Sequence, residues 1–270
     1  MKNLSNKAFD AVTQLFHSVS GIRLNESKQA LVTGRLQRLA SEAGETDLDL
    51  YVEKLLRGGA PAQEMTRLVD RLTTNETYFF REPQHYNDLA NRLAGFTGQA
   101  VTVWSAASSS GEEAHSVAMV MADKLGLGAG APAWQIHGTD LSTAMVDSAR
   151  RGLYPMERAR MVPPEFLKRY CLKGQGTQTG QLLVARELRN RVHFIAGNLM
   201  QPLPEALPMF DVIFLRNVLI YFDAEAKASI VRRVLGRLKP GGVLYTGHAE
   251  SLSTLNLPVR TLGTAIHGHA

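Results

Sequence analysis

The stretch VTVWSAASSSGEEAHSVAM, residues 101–119, decides the fold. Its apolar start, Val101, Val103 and Trp104, predicts a buried strand, and the spacing of apolar residues after Glu112 predicts an amphipathic helix. Only small residues lie between the two, so a ligand can approach the backbone there. Because a helix N-terminus favours anionic and polar groups, this strand, turn and helix predict a nucleoside site at the edge of a doubly wound sheet.

Two features of the turn leave its role open. It lacks the G-x-G-x-x-G pattern, so a pyrophosphate cofactor finds no obvious cradle. The spacing from Ser110 to Glu113 also fits a capping box, in which both side chains only bind free amides of the helix. Glu113 is therefore either a ligand-binding residue or a cap.

Downstream, strands and helices alternate, which is typical of a parallel sheet covered on both faces. The predicted strands are 101–106, 135–140, 192–198, 210–216 and 243–248, and the predicted helices are 112–125, 142–151 and 224–238. The tail, 259–268, predicts a closing hairpin. The expected fold class is α/β with a doubly wound, mostly parallel sheet.

Residues 1–74 predict a small helical domain, because apolar residues recur at helical spacing throughout. In its second helix, Lys28, Arg35 and Arg38 fall on the side opposite the apolar positions. This basic stripe is either a binding surface or an ordinary solvated face.

An insert at about 154–191 interrupts the sheet pattern. Two alternating segments around the turn 174–180 predict a hairpin, whose edge is available to an extended peptide. Residues 150–191 hold 10 Lys or Arg and 3 Asp or Glu. Such a basic segment suits nucleic acid, an anionic membrane surface, an acidic protein or simply solvent.

Composition favours a protein of the cytoplasm. The 270 residues include one cysteine, Cys171, which cannot form an internal disulfide, and the chain starts with a polar segment. The longest apolar run, 212–222, is interrupted by charge and is too short to span a bilayer. No metal is predicted, because the histidines lack ligand spacing; those considered are His115, His137, His193 and His248.

Asp140 ends the second predicted strand, where a carboxylate can accept both ribose hydroxyls of an adenosine. Nicotinamide enzymes and methyltransferases both use this feature. The segments FDVIFLRNVLIYFD (210–223) and LKPGGVLYTGH (238–248) resemble the fourth and fifth strands of class I S-adenosylmethionine-dependent methyltransferases. The resemblance favours a methyl donor over hydride chemistry.

The order of the sequence motifs indicates one family within this class of methyltransferases. LTTNETYFFRE (72–82), VWSAASSSGEEAHS (103–116), GTDLS (138–142), RNVLIYFD (216–223) and LKPGGVLYTGHAES (238–251) follow the helical region. This series resembles the chemotaxis receptor methyltransferases, which convert chemoreceptor glutamates to methyl esters. The resemblance covers essentially the whole chain. It implies a helical domain at 1–74, a linker at 75–98 that contributes to the cofactor site, and a methyltransferase domain at 99–270 with an inserted antiparallel β-subdomain at about 154–191.

The resemblance also implies the site. Residues that match the family's contacts to S-adenosylmethionine are Asn75, Thr77, Arg81, Glu113, Asp140, Asn198, Leu199, Asn217 and Val218. Arg81 and Tyr221 match its catalytic pair, although Arg81 could be structural and Tyr221 a core residue. A glutamate is already ionised and nucleophilic at neutral pH, so orientation rather than a general base is needed. S-adenosylhomocysteine is the expected product.

The implied partner is the cytoplasmic domain of a chemoreceptor, bound by the stripe of Lys28, Arg35 and Arg38. The hairpin turn 174–180 resembles turns that dock a receptor's C-terminal peptide. A monomer is expected, with neither membrane insertion nor nucleic acid. Two alternatives stay open, a low-turnover receptor-binding module and a nucleic-acid methyltransferase. The segment LRNVLIYF lacks the N/D-P-P-Y pattern of base methyltransferases.

Overall fold

The computed structural model describes residues 4–57, 62–96 and 100–270. Within the first of these ranges and the start of the second, the chain folds into helices α1 (Asn6–Ser20), α2 (Gln29–Glu42), α3 (Leu48–Leu56) and α4 (Ala62–Leu72). Their apolar faces share one core that includes Val12, Phe16, Val32, Leu36 and Leu68. The predicted all-helical N-terminal domain is confirmed.

Helix α5 (Pro83–Leu93) follows, within the range predicted as a linker that contributes to the cofactor site. Pro83 occupies the first helical turn, which tolerates proline because its missing N–H would have no partner there. The predicted boundaries at residues 74 and 98 stay predictions, and residues 97–99, where the linker was expected to end, lie outside the described ranges.

Strands and helices then alternate as predicted. The first half comprises β1 (Val101–Ser105), α6 (Glu112–Leu125), β2 (Trp134–Asp140), α7 (Thr143–Arg151), β3 (Leu153–Pro155), α8 (Pro164–Tyr170), β4 (Cys171–Lys173), β5 (Gln181–Val184) and α9 (Arg186–Arg189). The second half comprises β6 (Val192–Ala196), β7 (Phe210–Leu215), α10 (Ala224–Leu235), β8 (Leu238–Thr246), β9 (Val259–Gly263) and β10 (Ile266–His269).

In the described residues, seven strands form one sheet in the order β6-β2-β1-β7-β8-β10-β9. The first five are parallel, and β10 runs antiparallel to both β8 and β9, so the predicted closing hairpin is confirmed. Successive strands extend from β1 to β2 and β6 on one side and to β7 and β8 on the other. The order therefore reverses beside β1, which is where doubly wound sheets bind ligands.

Alternate residues of the central strands enter two separate cores. Val212 and Phe214 of β7 pack with the core that includes α6, whereas Ile213 and Leu215 pack with the core that includes α10. Both faces of the sheet are therefore covered, as its continuous apolar strands predicted.

The end of α10 differs from the prediction. The helix ends at Leu235 rather than at residue 238, because Gly236 follows and Leu238 already pairs with Phe210 as the start of β8. Residues 239–242 form a bulge within β8. A Cβ on Gly242 would lie 2.9 Å from the Asp211 carbonyl oxygen, so only glycine lets the two strands approach here.

The insert forms a second, antiparallel sheet in the order β3-β5-β4. Strands β4 and β5 are the predicted hairpin, which is confirmed. Strand β3, directly after α7, was not predicted because three residues are too short to show alternation.

None of the helices in the described ranges has both the length and the apolar character needed to cross a bilayer.

Candidate functional site

A cavity of ≈ 450 Å³ lies at the carboxyl ends of β1, β2, β6 and β7 and is partly closed by the helical domain. This volume is in the usual range for a small-molecule site. All predicted cofactor and catalytic residues line it: Asn75, Thr77, Arg81, Glu113, Asp140, Asn198, Leu199, Asn217, Val218 and Tyr221. The structure therefore brings these residues together, and their individual roles stay predictions.

The turn between β1 and α6 forms one wall of the cavity. Gly111 has φ 96°, and a Cβ there would lie 2.7 Å from the Ala149 Cβ and 2.9 Å from the Tyr154 hydroxyl oxygen. Only glycine fits this position. The cavity wall beside it consists of the small residues Ala106, Ala107 and Ser109, which leave the backbone accessible.

The capping-box alternative for Glu113 is wrong. The N-cap of α6 is Gly111, without a side-chain cap bond, and the Ser110 hydroxyl donates to Glu112 at 2.7 Å. Glu113 instead points to β1 and β7: its Oε1 accepts from the Ser105 hydroxyl at 2.7 Å and its Oε2 accepts from Arg216 at 2.9 Å.

Asp140 ends β2 at the cavity wall. Its Oδ2 accepts a hydrogen bond from the Ser109 amide at 2.8 Å, and its Oδ1 accepts one from the Ser142 amide at 2.9 Å. Burial raises the pKa of Asp140 to about 6, and the two amide bonds oppose this rise. The carboxylate is thus fixed where an adenosine ribose would lie at the switch point.

Arg216 directly follows β7 and lines the cavity, although its side chain is only 1% exposed. Its Nη1 donates to Glu113 at 2.9 Å, and its Nη2 donates to Glu82 Oε2 at 3.0 Å. Nη2 also donates to the carbonyl of Arg81 at 2.5 Å. This network ties the end of β7 to α6 and to the segment that carries Arg81.

The network carries one negative charge in excess, because one guanidinium faces two carboxylates. Burial alone raises the pKa of Glu82, but the charge and hydrogen bonds of Arg216 outweigh burial and lower it. Burial also raises the pKa of Glu113, against the opposing charge of Arg216. A cationic ligand group beside these carboxylates would balance the excess charge.

Arg81 and Tyr221 line the same cavity. Arg81 Nη1 donates to the Glu76 carbonyl at 3.0 Å, and its guanidinium lies 5.8 Å from the centre of the Tyr78 ring. Burial raises the pKa of Tyr221, and the Arg81 charge opposes this rise. The Tyr221 hydroxyl therefore stays protonated at neutral pH and can donate a hydrogen bond. Tyr221 is partly buried rather than enclosed in the core.

The three residues of the basic stripe have different surroundings. Lys28 is exposed and lines the cavity. Arg35 donates to two backbone carbonyls at the end of α4, at 2.9 and 3.0 Å, and Arg38 pairs with Glu42 at 3.3 Å. Arg35 therefore holds the chain that leads into the cavity, and substrate binding by the stripe stays a prediction.

The helical domain is joined to the cavity through Asn198. Its Nδ2 donates to the Val19 carbonyl at 2.9 Å, and its Oδ1 accepts from the Met200 amide at 2.9 Å. A Cβ on Gly21 would lie 2.5 Å from the Met200 side chain, so glycine permits this close approach. Asn198 thus has a structural role beside its predicted contact with the cofactor.

Three residues that hold the site together were not predicted from the sequence: Arg216, Glu82 and Glu250. An arginine at the end of an apolar strand signals a buried ion pair, and Arg216 shows that signal. Glu82 and Glu250 carry no comparable local signal, because their partners lie 134 and 33 residues away in sequence.

Among the described residues, one group of potential metal ligands occurs, Glu82, His85 and His248, whose ligand atoms lie within 4.8 Å of one another. Both Glu82 oxygens already accept hydrogen bonds, from Arg216 at 3.0 Å and from Asn217 at 3.2 Å. A metal ion here would lie next to the Arg216 guanidinium, which disfavours it. The expectation of no metal stays a prediction.

A sheet wound in both directions from β1, with a nucleoside-sized cavity at the reversal and a carboxylate at the end of β2, is common to nicotinamide enzymes and class I S-adenosylmethionine-dependent methyltransferases, and the lack of a G-x-G-x-x-G pyrophosphate cradle favours the methyltransferase class. The residues fit this cofactor: Asp140 suits its ribose, the small residues of the β1–α6 turn leave space, and the excess negative charge suits its cationic groups. The chain belongs to the CheR methyltransferase family. Residues 75–266 match its SAM binding domain and residues 7–73 match its all-alpha domain.

Relatives span almost the whole chain. The chemotaxis protein methyltransferase of Escherichia coli K12 is 37% identical over 98% of this chain and 91% of its own length. The chemotaxis protein methyltransferase of Salmonella typhimurium LT2 is 37% identical over 93% of this chain and 86% of its own length. Chemotaxis protein methyltransferase 2 of Pseudomonas aeruginosa is 34% identical over 97% of this chain and 92% of its own length. The predicted family, fold class and cofactor are confirmed.

Proposed function

We propose that this protein transfers a methyl group from S-adenosylmethionine to glutamate carboxylates of chemoreceptors, forming glutamyl methyl esters in chemosensory signalling. One observation carries the proposal. A single cavity joins the carboxylates of Asp140 and Glu113, which suit the cofactor, to Arg81 and Tyr221, which suit an incoming carboxylate. The family match over both domains supports it.

When bound, the cofactor supplies a methyl group on a positively charged sulfur. The residues of the chain have three tasks. Asp140 and Glu113 bind the cofactor's hydroxyl and cationic groups, and Arg81 with Tyr221 orients the substrate carboxylate by donating hydrogen bonds. These donors replace water that the carboxylate loses on entry, a loss that would otherwise oppose binding. Because the carboxylate is already ionised, no residue needs to remove a proton.

The charges around the cavity support an acidic substrate. Arg23, Lys28 and Arg81 line it, and Arg35 lies close enough to influence Tyr221. The methylated regions of the receptor would bring acidic side chains to these cations, so that association depends on salt. We therefore retain Lys28, Arg35 and Arg38 as the proposed receptor-binding stripe.

The test of this function is a substrate panel. The protein is incubated with methyl-labelled S-adenosylmethionine and with receptor cytoplasmic fragments, RNA or duplex DNA. We expect label only on receptor fragments, at glutamates. Label on nucleic acid would support the alternative of a nucleic-acid methyltransferase, and binding of cofactor and receptor without label would support the low-turnover module.

The inserted sheet supports a second contact with the receptor. Leu153, Leu183 and Leu172 pair across its three strands on one face, and Leu153 and Leu172 are 39% and 59% exposed. Strand β4 is an edge strand, and an extended peptide can add to such an edge. We propose that the receptor's C-terminal peptide binds here, with its apolar side chains on this leucine row.

Leu172→Asp is expected to raise KM for a full-length receptor fragment about tenfold, because it places a charge on the apolar row. It should leave kcat unchanged and should have no effect on a fragment that lacks its C-terminal peptide. Leu56→Asp, at an exposed leucine of α3, is the matched control. Equal KM values for complete and shortened receptor would exclude this contact.

A pH titration of cofactor affinity tests Asp140. Its pKa is raised to about 6, and ribose hydroxyls donate best to the ionised form. The affinity for the cofactor is thus highest at neutral pH, and it decreases as the pH falls through the pKa of Asp140. Calorimetry with S-adenosylhomocysteine should show Kd rising about tenfold from about pH 7 to about pH 5. Asp140→Asn should bind weakly without this pH step, and a constant Kd in the native protein would count against the role.

We also propose that the protein acts in the cytoplasm as a monomer that is not inserted in the membrane. Its single cysteine is a free thiol, as suits a reducing compartment. Light scattering during size exclusion should give the mass of one chain, and a concentration-independent dimer would contradict the monomer.

A further inference from the structure

Glu250, which follows β8, is a buried carboxylate that binds backbone amides. Glu250 is only 6% exposed. Oε1 accepts from the amides of Leu219 and Ile220, at 2.6 and 3.3 Å. Oε2 accepts from the amides of Asn217 and Gly247, both at 2.7 Å. One carboxylate therefore binds four amides.

Three of these amides belong to the loop between β7 and α10, which brings Asn217, Val218 and Tyr221 to the cavity. The loop has little regular structure of its own, a single 3₁₀ turn over Leu219–Tyr221. Asn217 has φ 57°, a conformation that non-glycine residues hold only when their surroundings impose it. The conformation of this loop thus depends on contacts from outside it.

The backbone around Glu250 is shaped for this contact. A Cβ on Gly247 would lie 2.7 Å from Glu250 Oε2 and 3.0 Å from the Asn217 nitrogen, so a side chain there would displace the carboxylate from the loop. Asn217 is held from its other side as well, because its Nδ2 donates to Glu82 at 3.2 Å.

We propose that Glu250 is a positioning residue for methyl transfer, whose carboxylate fixes the loop that carries Asn217 and Tyr221. The inference rests on the proposed roles of those two residues. A carboxylate can accept at both oxygens, whereas the amide of glutamine can accept at only one. In Glu250→Gln the NH₂ group must face either the amides of Leu219 and Ile220 or those of Asn217 and Gly247, so at least one contact to the loop is lost.

Glu250→Gln is expected to lower kcat about 10- to 100-fold, with a smaller rise in KM for the receptor, because misplaced donors act mainly in the transition state. The matched control is Asp211→Asn. The Asp211 carboxylate lies at the other end of β7 and accepts from the Thr102 amide at 2.8 Å and from Lys239 at 2.8 Å. This control should lose thermal stability while it keeps the native kcat.

A double variant separates positioning from general destabilisation. If Glu250 acts by placing Tyr221, then Glu250→Gln combined with Tyr221→Phe is no slower than the slower single variant, whereas independent effects multiply. Multiplied losses would overturn the inference, as would a native kcat in Glu250→Gln. If that variant does not fold, Glu250→Asp replaces it, because its carboxylate is one methylene shorter and cannot reach the amides on both sides at once, and a native kcat there would overturn the inference as well. A native kcat in Tyr221→Phe would instead overturn the proposed role of Tyr221, on which the inference rests.

Discussion

Replacing Arg216 by methionine is expected to lower the free energy of unfolding by about 3–5 kcal/mol, because it leaves two buried carboxylates without their cation. Glu113 and Glu82 are 11% and 15% exposed and lie 2.9 and 3.0 Å from the guanidinium. The change also releases the carbonyl of Arg81, so we expect cofactor binding to be lost as well. Urea denaturation and calorimetric titration measure the two effects.

Arg169→Met is the control for this prediction. Arg169 is 53% exposed and pairs with Asp123 at 2.7 Å, so its loss should change stability by less than about 1 kcal/mol. An equally small change in Arg216→Met would contradict the role of the network.

The pH dependence gives a second check on Arg216→Met. Without the arginine, burial raises the pKa values of both glutamates above those of the unfolded chain. Lowering the pH then neutralises them, and the stability deficit relative to the native protein should shrink from about pH 7 to about pH 5. A deficit that grows over this range would mean that stranded carboxylates are not its cause.

Arg81→Ala is expected to lower kcat/KM for the receptor about 10²- to 10³-fold, the usual loss when one oriented donor is removed from a reacting group. Arg81 is held by its carbonyl to Arg216, at 2.5 Å, and by its side chain to the Glu76 carbonyl, at 3.0 Å. These contacts hold the guanidinium in the cavity that Tyr221 also lines, where the substrate carboxylate is proposed to bind. Steady-state kinetics with a receptor fragment measure the effect.

Two further variants interpret the result for Arg81. Arg81→Lys keeps the charge but loses the two-pronged donor, so its kcat/KM should lie between those of the native protein and Arg81→Ala. Arg57→Ala, at a surface arginine of the helical domain that pairs with Glu53, should behave as native. Native kinetics in Arg81→Ala would show that the arginine is structural, the alternative that its sequence left open.

Much of the fold could be predicted from sequence because its signals are local. The apolar strand, small turn and amphipathic helix around Gly111 lie within one stretch, and Asp140 lies at the end of the next strand. Parallel strands bring such ends to one edge, and the predicted cofactor residues accordingly line one cavity. The resemblance in motif order also predicted the site residues of the loop after β7, which are Asn217, Val218 and Tyr221.

The contacts that hold the site together could not be predicted in the same way. In the sequence, Arg216 is separated from Glu113 by 103 positions and from Glu82 by 134. Glu250 is separated from Asn217 by 33 positions. Such pairings depend on the completed sheet rather than on spacing in the chain. Helix α5 lies within the predicted linker and was likewise not predicted, although Pro83 occupies its first turn, where helices accept proline.

The most direct test of the account is the chemistry of the methylated product. A receptor fragment labelled by this protein from methyl-labelled S-adenosylmethionine is treated with mild base, and volatile radioactivity is measured. A glutamyl ester releases its methyl group as methanol, so the account predicts that the label becomes volatile and that Arg81→Ala yields little of it. Label that stays on the receptor after base treatment would show that the methyl group is not attached to a carboxylate, and it would contradict the account.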